Sequence, residues 1–199
     1  MTNRAQNIYS AEPVATGVCF VSPIGTAAPT DAVTALTTIS PDWVDLGYTG
    51  ADGFTEKNDH KTDMKRSLGG KIVKVLFTEF SATLEFTLME SLNADVLKAI
   101  FGASNVQVIA ANESHGNQVK VLKNSIRLPA SAWCIDTWDD ELNAKYRNYA
   151  PNGQVLSVAD IKVVHTDIIE YKITVECLES VIGNDQISTF TDDGQTTGS

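Results

Sequence analysis

Two stretches of the chain alternate strictly between apolar and polar residues. In residues 80–88, Phe80, Ala82, Leu84, Phe86 and Leu88 fall on one side, and Ser81, Thr83, Glu85 and Thr87 on the other. In residues 169–177, Ile169, Tyr171, Ile173, Val175 and Cys177 oppose Glu170, Lys172, Thr174 and Glu176. A period of two marks a half-buried strand, because successive side chains of extended backbone point to opposite faces. After Leu88 the period changes. Ser91 or Asn93 can cap a helix, and Asp95 suits its positive first turn. Val96, Leu97, Ile100 and Phe101 share one helical face, and Gly102 offers a left-handed stop.

Shorter signals fill in the rest. Strands are expected at 14–21, 42–48, 71–77, 106–110, 118–124, 131–138, 144–150 and 154–164. Pro23, Gly25, Pro29 and Pro41 mark 22–41 as loop, with one turn of helix at 32–36. Pro151-Asn152-Gly153 reads as a turn. Residues 49–70 lack an apolar stripe and read as a long polar loop, which is either a functional projection or hides short strands. Residues 1–13 form a polar arm, and 183–199 an acidic polar tail too poor in apolar residues to build a core. Strand follows strand through turns, with one convincing helix and no βαβ rhythm. The fold class is therefore mainly β: an antiparallel sandwich or barrel over 14–182 with one flanking α-helix.

Composition narrows the function classes. Hydrophobic residues make up 43% of the 199, enough for a core. The net charge is −10, from 15 basic and 25 acidic residues. Such a surface aids solubility and repels nucleic acid and anionic membrane. Cys19, Cys134 and Cys177 are far apart and odd in number, so they form neither a metal spacing nor a disulfide framework. Buried reduced thiols in a cytosolically folded protein are the expectation. The first residues, MTNRAQNIYSAEP, carry no apolar signal core.

Candidate chemistry is sparse. His60, His115 and His165 are isolated, and no serine sits in a nucleophile elbow. Asp136, Asp139, Asp140 and Glu141 lack the spacing of a calcium loop and read as an acidic turn. Trp43, Trp133 and Trp138 read as core or subunit-contact aromatics rather than as a carbohydrate groove. No catalytic, cofactor or metal site is expected. The polar faces of the two alternating strands remain. Such a face is the outside of a sandwich or, in a closed ring, the wall of a channel.

Four segments together resemble the major tail (tail tube) proteins of long-tailed bacteriophages: GVCFVSPIGTAAPTDAVTAL, DWVDLGYTGADGFTEKND, FSATLEFTLMESLNADVLKAIFG and, more weakly, YAPNGQV. The resemblance implies a non-enzymatic virion protein, made in the host cytoplasm, whose hexameric rings stack into a hollow tube that conducts DNA to the host cell. It leans toward a non-contractile, siphovirus-like tail. Its partners would be further copies of itself, with tape-measure and tail-terminator proteins; DNA would be met only in transit, and no membrane or cofactor is implied. On that reading the lumen is lined by Ser81, Thr83, Glu85, Thr87, Glu170, Lys172, Thr174 and Glu176. The inter-ring contact falls to Asp52, Glu56, Lys57, Asp59, Lys61, Asp63, Lys65 and Arg66. The alternatives are another virion component of related fold (baseplate hub, connector or decoration protein) and a carbohydrate-binding β-sandwich.

Overall fold

The computed structural model describes residues 7–14, 17–180, 183 and 185–196. The long alternating stretch is the second half of β5 (Ile72–Leu88), and the other is β10 (Tyr171–Cys177). They pair antiparallel, Lys172 opposite Thr87 and Cys177 opposite Ala82. Ala82, Leu84, Phe86 and Leu88 are buried together with Ile173, Val175 and Cys177. α2 (Ala94–Phe101) packs on this apolar face through Val96, Leu97, Ile100 and Phe101. The side chain of Asn93 accepts from the Asp95 N–H at 2.9 Å, and Gly102 ends the helix at φ 91°, which is strained for any residue with a Cβ.

The remaining strands are β1 (Glu12–Pro13), β2 (Cys19–Ser22), β3 (Val44–Asp45), β4 (Thr49–Arg66), β6 (Val106–Ile109), β7 (Gln118–Val121), β8 (Ala130–Asp139), β9 (Ala144–Val158) and β11 (Ser188–Asp192). The main sheet runs β3-β2-β8-β9-β10-β5-β4, with β1 added to β8 and β11 to β9; β6 and β7 form a separate hairpin. The sheet curls on itself. Phe86 on β5 meets the Trp133 ring on β8, centroids 5.6 Å apart, although β9 and β10 lie between them in the sheet. Asn148 Nδ2 on β9 donates to Glu56 Oε2 on β4 at 3.0 Å. The principal core fills this curl, closed by α2. A second cluster lies on the other face of β2, β8 and β9, where Phe20, Leu36, Trp43, Cys134 and Tyr149 pack under the loop carrying the four-residue helix α1 (Leu36–Ile39).

Four expectations need correction. Residues 49–66 are not loop but an 18-residue strand paired with β5 at Thr49 and from Phe54 to Arg66. Backbone ladders require no apolar side chains, and beyond the barrel both faces of this hairpin are wet, so no alternation marks it. The tail at 183–199 contains β11, which pairs with residues 145–149 of β9 and packs Phe190 on the second cluster. Pro151-Asn152-Gly153 is not a turn. β9 runs through it, and the β8 ladder skips Pro151 and Asn152 at a bulge where the missing proline N–H goes unused. The polar arm also joins the sheet, through the two residues of β1 and through Tyr9, whose hydroxyl donates to Thr137 Oγ1 at 2.9 Å; residues 1–6 lie outside the described part.

At that bulge the chain approaches the core closely. A Cβ on Gly153 would lie 2.5 Å from Trp133 Cδ1 and 2.7 Å from Val175 Cγ1, while Trp133 Nε1 donates to the Gly153 carbonyl at 3.0 Å. Trp133 and Val175 are fully buried and have no room to yield. Gly153→Ala is therefore expected to destabilise the subunit by about 1–3 kcal/mol, read as a lower denaturant midpoint at unchanged slope.

The three thiols are buried and free. Burial pushes all three up: Cys177 to about 12, with Cys19 and Cys134 raised as well. A folded pKa above the unfolded one means that the unfolded chain loses its proton first as pH rises. The thiol contribution to stability is whole below pH 9 and is lost as pH climbs from there toward 12. Each thiol removes about 1.4 kcal/mol per pH unit in that window. Urea midpoints measured from pH 8 to 11 should fall accordingly, and a Cys177→Ala variant should show a shallower fall.

Candidate functional site

Residues opposite one another in a ladder share a face, so register shows which side chains of the alternating strands stand together. On β5 and β10, Thr83 faces Glu176, Glu85 faces Thr174 and Thr87 faces Lys172. β4 extends the same face, with Thr55 opposite Glu85, Lys57 opposite Thr83 and Asp59 opposite Ser81. The result is a polar wall three strands wide on the outside of the barrel. Of the eight residues expected to line a lumen, seven stand on this wall; Glu170 precedes β10 by one residue.

The wall is internally paired. Ser81 Oγ donates to Glu176 Oε1 at 2.9 Å. Glu85 lies between two lysines, with Lys172 Nζ at 2.6 Å and Lys57 Nζ at 3.7 Å. The hydrogen bond from Lys172, then its charge, holds the Glu85 carboxyl below the usual carboxylate range, and Glu85 in turn raises Lys172. These ions are exposed and contribute little to stability. Their consequence is electrostatic: Lys57 and Lys172 share the Glu85 carboxylate, and with Glu176 and Asp59 on the same face the acids of the wall outnumber its lysines three to two.

The eight residues expected at an inter-ring contact do not form one group. Asp52 lies in the irregular start of β4, where the ladder skips between Thr49 and Phe54. Glu56 faces inward to Asn148, and Lys57 and Asp59 belong to the wall. Only Lys61, Asp63, Lys65 and Arg66 stand on the part of the β4–β5 hairpin that projects from the barrel. There Lys61 pairs with Glu79 at 2.8 Å, Lys65 with Asp63 at 2.5 Å, and Arg66 Nη1 donates to the Gly70 carbonyl at 3.0 Å.

Sequence reasoning missed the apolar half of this arm. Met64, Leu68, Ile72, Val73, Val75 and Phe77 are all exposed. The β character of KIVKVLF marks the strand correctly but carries no information on whether either face is covered. A two-stranded hairpin wet on both sides is marginal by itself, and this much exposed apolar surface on a projection marks an interaction site.

The other candidates have structural explanations. Asp136 pairs with Arg147, and Asp139 accepts from the Ser10 and Leu142 N–H groups, which hold its carboxyl low. Trp43 and Trp133 are core residues, so no row of three tryptophans faces solvent. The histidines stand on three separate elements: the hairpin arm, the turn between β6 and β7, and the loop before β10. A cleft of about 470 Å³ between the N-terminal arm, the start of β4 and the β8–β9 ladder is lined mainly by apolar groups, among them Tyr9, Val18, Phe54, Ile135 and Tyr146.

An acidic β barrel whose elaborated features are a paired polar wall and a projecting arm has the make-up of a structural protein. The family comparison agrees: the profile of the phage tail tube protein family matches residues 1–196, and the chain belongs to that family. It is thus a non-enzymatic tail structural protein and a component of the virion. No curated protein matches the chain. Among solved structures, it is similar to the tube-terminating cap of the anti-feeding prophage (11% identity, TM-score 0.47, covering 96% of this chain and 100% of the cap). It is also similar to a chain of the extended sheath–tube complex of an extracellular contractile injection system, PVC (11% identity, TM-score 0.41, covering 94% and 98%). Likenesses this distant carry no weight for function.

Proposed function

We infer that this protein builds the tube itself: six copies close into a ring, rings stack coaxially, and DNA passes down the bore to the host cell. The observation that carries the reading is the wall across β4, β5 and β10, broad, polar and charge-paired, backed on β5 and β10 by a buried apolar face. Lysines free to bind phosphate would hold DNA by counterion release and stall its passage. A wall on which Lys57 and Lys172 are both tied to Glu85, with Glu176 and Asp59 beside them, lowers that friction. Ser81, Thr83, Glu85, Thr87, Lys172, Thr174 and Glu176 line the bore, with Glu170 at its end. β4 terminates the sheet path, so its outer edge is available to a neighbour, and pairing it round a closed ring leaves no exposed edge. The projecting arm reaches the next ring. Tape-measure and terminator proteins fill and close such a tube.

Negative-stain microscopy of the purified protein tests the assembly, with tubes or stacked rings expected. The wall is tested by Thr83→Cys labelled with a biotin maleimide, a clean site because the native thiols are buried. Tubes made from labelled subunits should not bind streptavidin, which is too bulky to enter the bore. Streptavidin decorating the outside of intact tubes would put the wall on the wrong surface.

A further inference from the structure

The charge of this chain is not evenly spread. From Met64 to Leu76 the hairpin carries Lys65, Arg66, Lys71 and Lys74 and no acid. Asp63, just outside, offsets Lys65. The rest of the chain therefore holds 11 basic and 25 acidic residues, a net of −14 against +4 on the tip. Leu68 and Val73 between the cations, and Val75 beside Lys74, are exposed. The tip is thus a basic, apolar finger on an acidic body.

The opposite end of the same strand has the complementary character. Where β5 ends at Leu88, a shallow depression is lined by Tyr48, Met89, Glu90, Leu92, Ile168 and Ile169. Tyr48 is 77% exposed, Leu92 91% and Ile168 50%, unusual values for apolar side chains grouped in one place. Acids flank it: Asp167 and Glu170 on either side of the two isoleucines, and Asp52 at the start of β4. Lys172, at the start of β10, is bound to Glu85. From the end of the tip at Leu76 to Leu88 the chain runs 12 residues along β5, roughly 40 Å of extended backbone.

We propose that this depression is the receptor for the hairpin tip of a second copy, the copy in the adjoining ring. The proposal rests on the tube reading and assigns the acceptor side of its axial contact. Leu68, Val73 and Val75 cover Tyr48, Leu92 and Ile168, while Lys71 and Lys74 meet Asp167 and Glu170. Donor and acceptor lie at opposite ends of one strand, so the contact is head-to-tail and does not close on itself; it repeats along an axis. The same acidic body that repels nucleic acid attracts this finger, which favours a copy of the chain over DNA as its partner.

The test is a charge swap scored by sedimentation and negative stain. Lys71→Glu with Lys74→Glu reverses the tip; Asp167→Lys with Glu170→Lys reverses the receptor. Each double variant should lose tubes while retaining rings, and the quadruple variant, with both charges reversed, should recover them. Rising salt should shorten wild-type tubes and leave rings intact. If either double variant assembles like wild type, or the quadruple variant fails to recover, the receptor is misassigned although the tube reading stands. A tip reversal that abolishes retention of duplex DNA in a gel shift, with assembly unchanged, makes the tip a nucleic-acid contact and overturns the proposal. A wild-type chain that forms neither rings nor tubes overturns the tube reading, and this contact with it.

Discussion

Replacing Arg147 by alanine is expected to destabilise the subunit by about 3 kcal/mol, enough to lower its melting temperature by roughly 10 °C. Arg147 is 2% exposed. Its Nε and Nη2 each donate to Asp136 at 2.6 Å, and its Nη1 donates to the carbonyls of Asp31 and Thr34 at 2.8 and 3.0 Å. One side chain thus neutralises a carboxylate beneath the second core cluster and pins the proline-rich loop that covers it. The alanine variant leaves a carboxylate and two carbonyls without donors. The effect falls at the lower end of the range for broken buried pairs because the Asp136 side chain is still 16% exposed and keeps some water. Arg147→Met combined with Asp136→Leu should regain much of the loss, since the cost lies in the stranded charge rather than in the absence of a pair. Thermal melts of unassembled subunits would decide it, and Arg147→Ala melting with wild type would show that the pair contributes nothing. Limited proteolysis should also find the loop before α1 cut faster in the variant.

That residue illustrates what could and could not be read from the chain. The cap Asn93, the stop Gly102 and the buried face of α2 were legible because each is decided within one or two helical turns. The two clean strands were legible because burial on one face imposes a period of two. That they are neighbours was not, since nothing local says that Lys172 sits opposite Thr87. β4 was missed because burial is what writes alternation into a sequence, and this strand gains its order from backbone ladders and its partner β5. β11 was missed because it contributes one large apolar residue, Phe190, to a cluster assembled from distant segments. Arg147 sits in a strand where Lys145, Tyr146 and Asn148 are equally polar, and only the fold places Asp136 opposite it across the β8–β9 ladder. For the site, parity placed Ser81, Thr83, Glu85 and Thr87 on one face of β5 and Lys172, Thr174 and Glu176 on one face of β10, while only the register joins the two faces into a wall. Length and polarity set 49–70 apart, but only four of its eight named residues stand on the arm, and the exposure of the arm's apolar side chains depends on what the fold leaves uncovered among the described residues.

Removing the arm is expected to abolish tube formation while leaving the subunit folded. Thr62 and Phe77 are ladder partners, so residues 63–76 can be replaced by Asn-Gly, a two-residue connection whose twist suits the flanking strands. The deleted segment contributes no side chain to either core cluster, and the wall at residues 81–87 keeps its pairing to both β4 and β10. Thermal stability should therefore stay near that of the parent, or rise slightly because a marginal, solvent-exposed hairpin has been shortened. Assembly should respond in the opposite way. The deletion takes away the tip cations and the exposed Met64, Leu68, Ile72, Val73 and Val75, which together form the finger that spans to the next ring. Ring closure, which on this reading uses the sheet edge and the barrel flanks, should survive. Analytical ultracentrifugation would then show a single ring-sized species in place of polydisperse tubes, and far-UV circular dichroism would show a retained β spectrum. Long tubes from the shortened chain would mean that axial stacking is carried by some other surface, and the arm would need a different partner. Loss of rings as well as tubes would place the arm between subunits of one ring, where its two exposed faces would be covered laterally rather than along the axis.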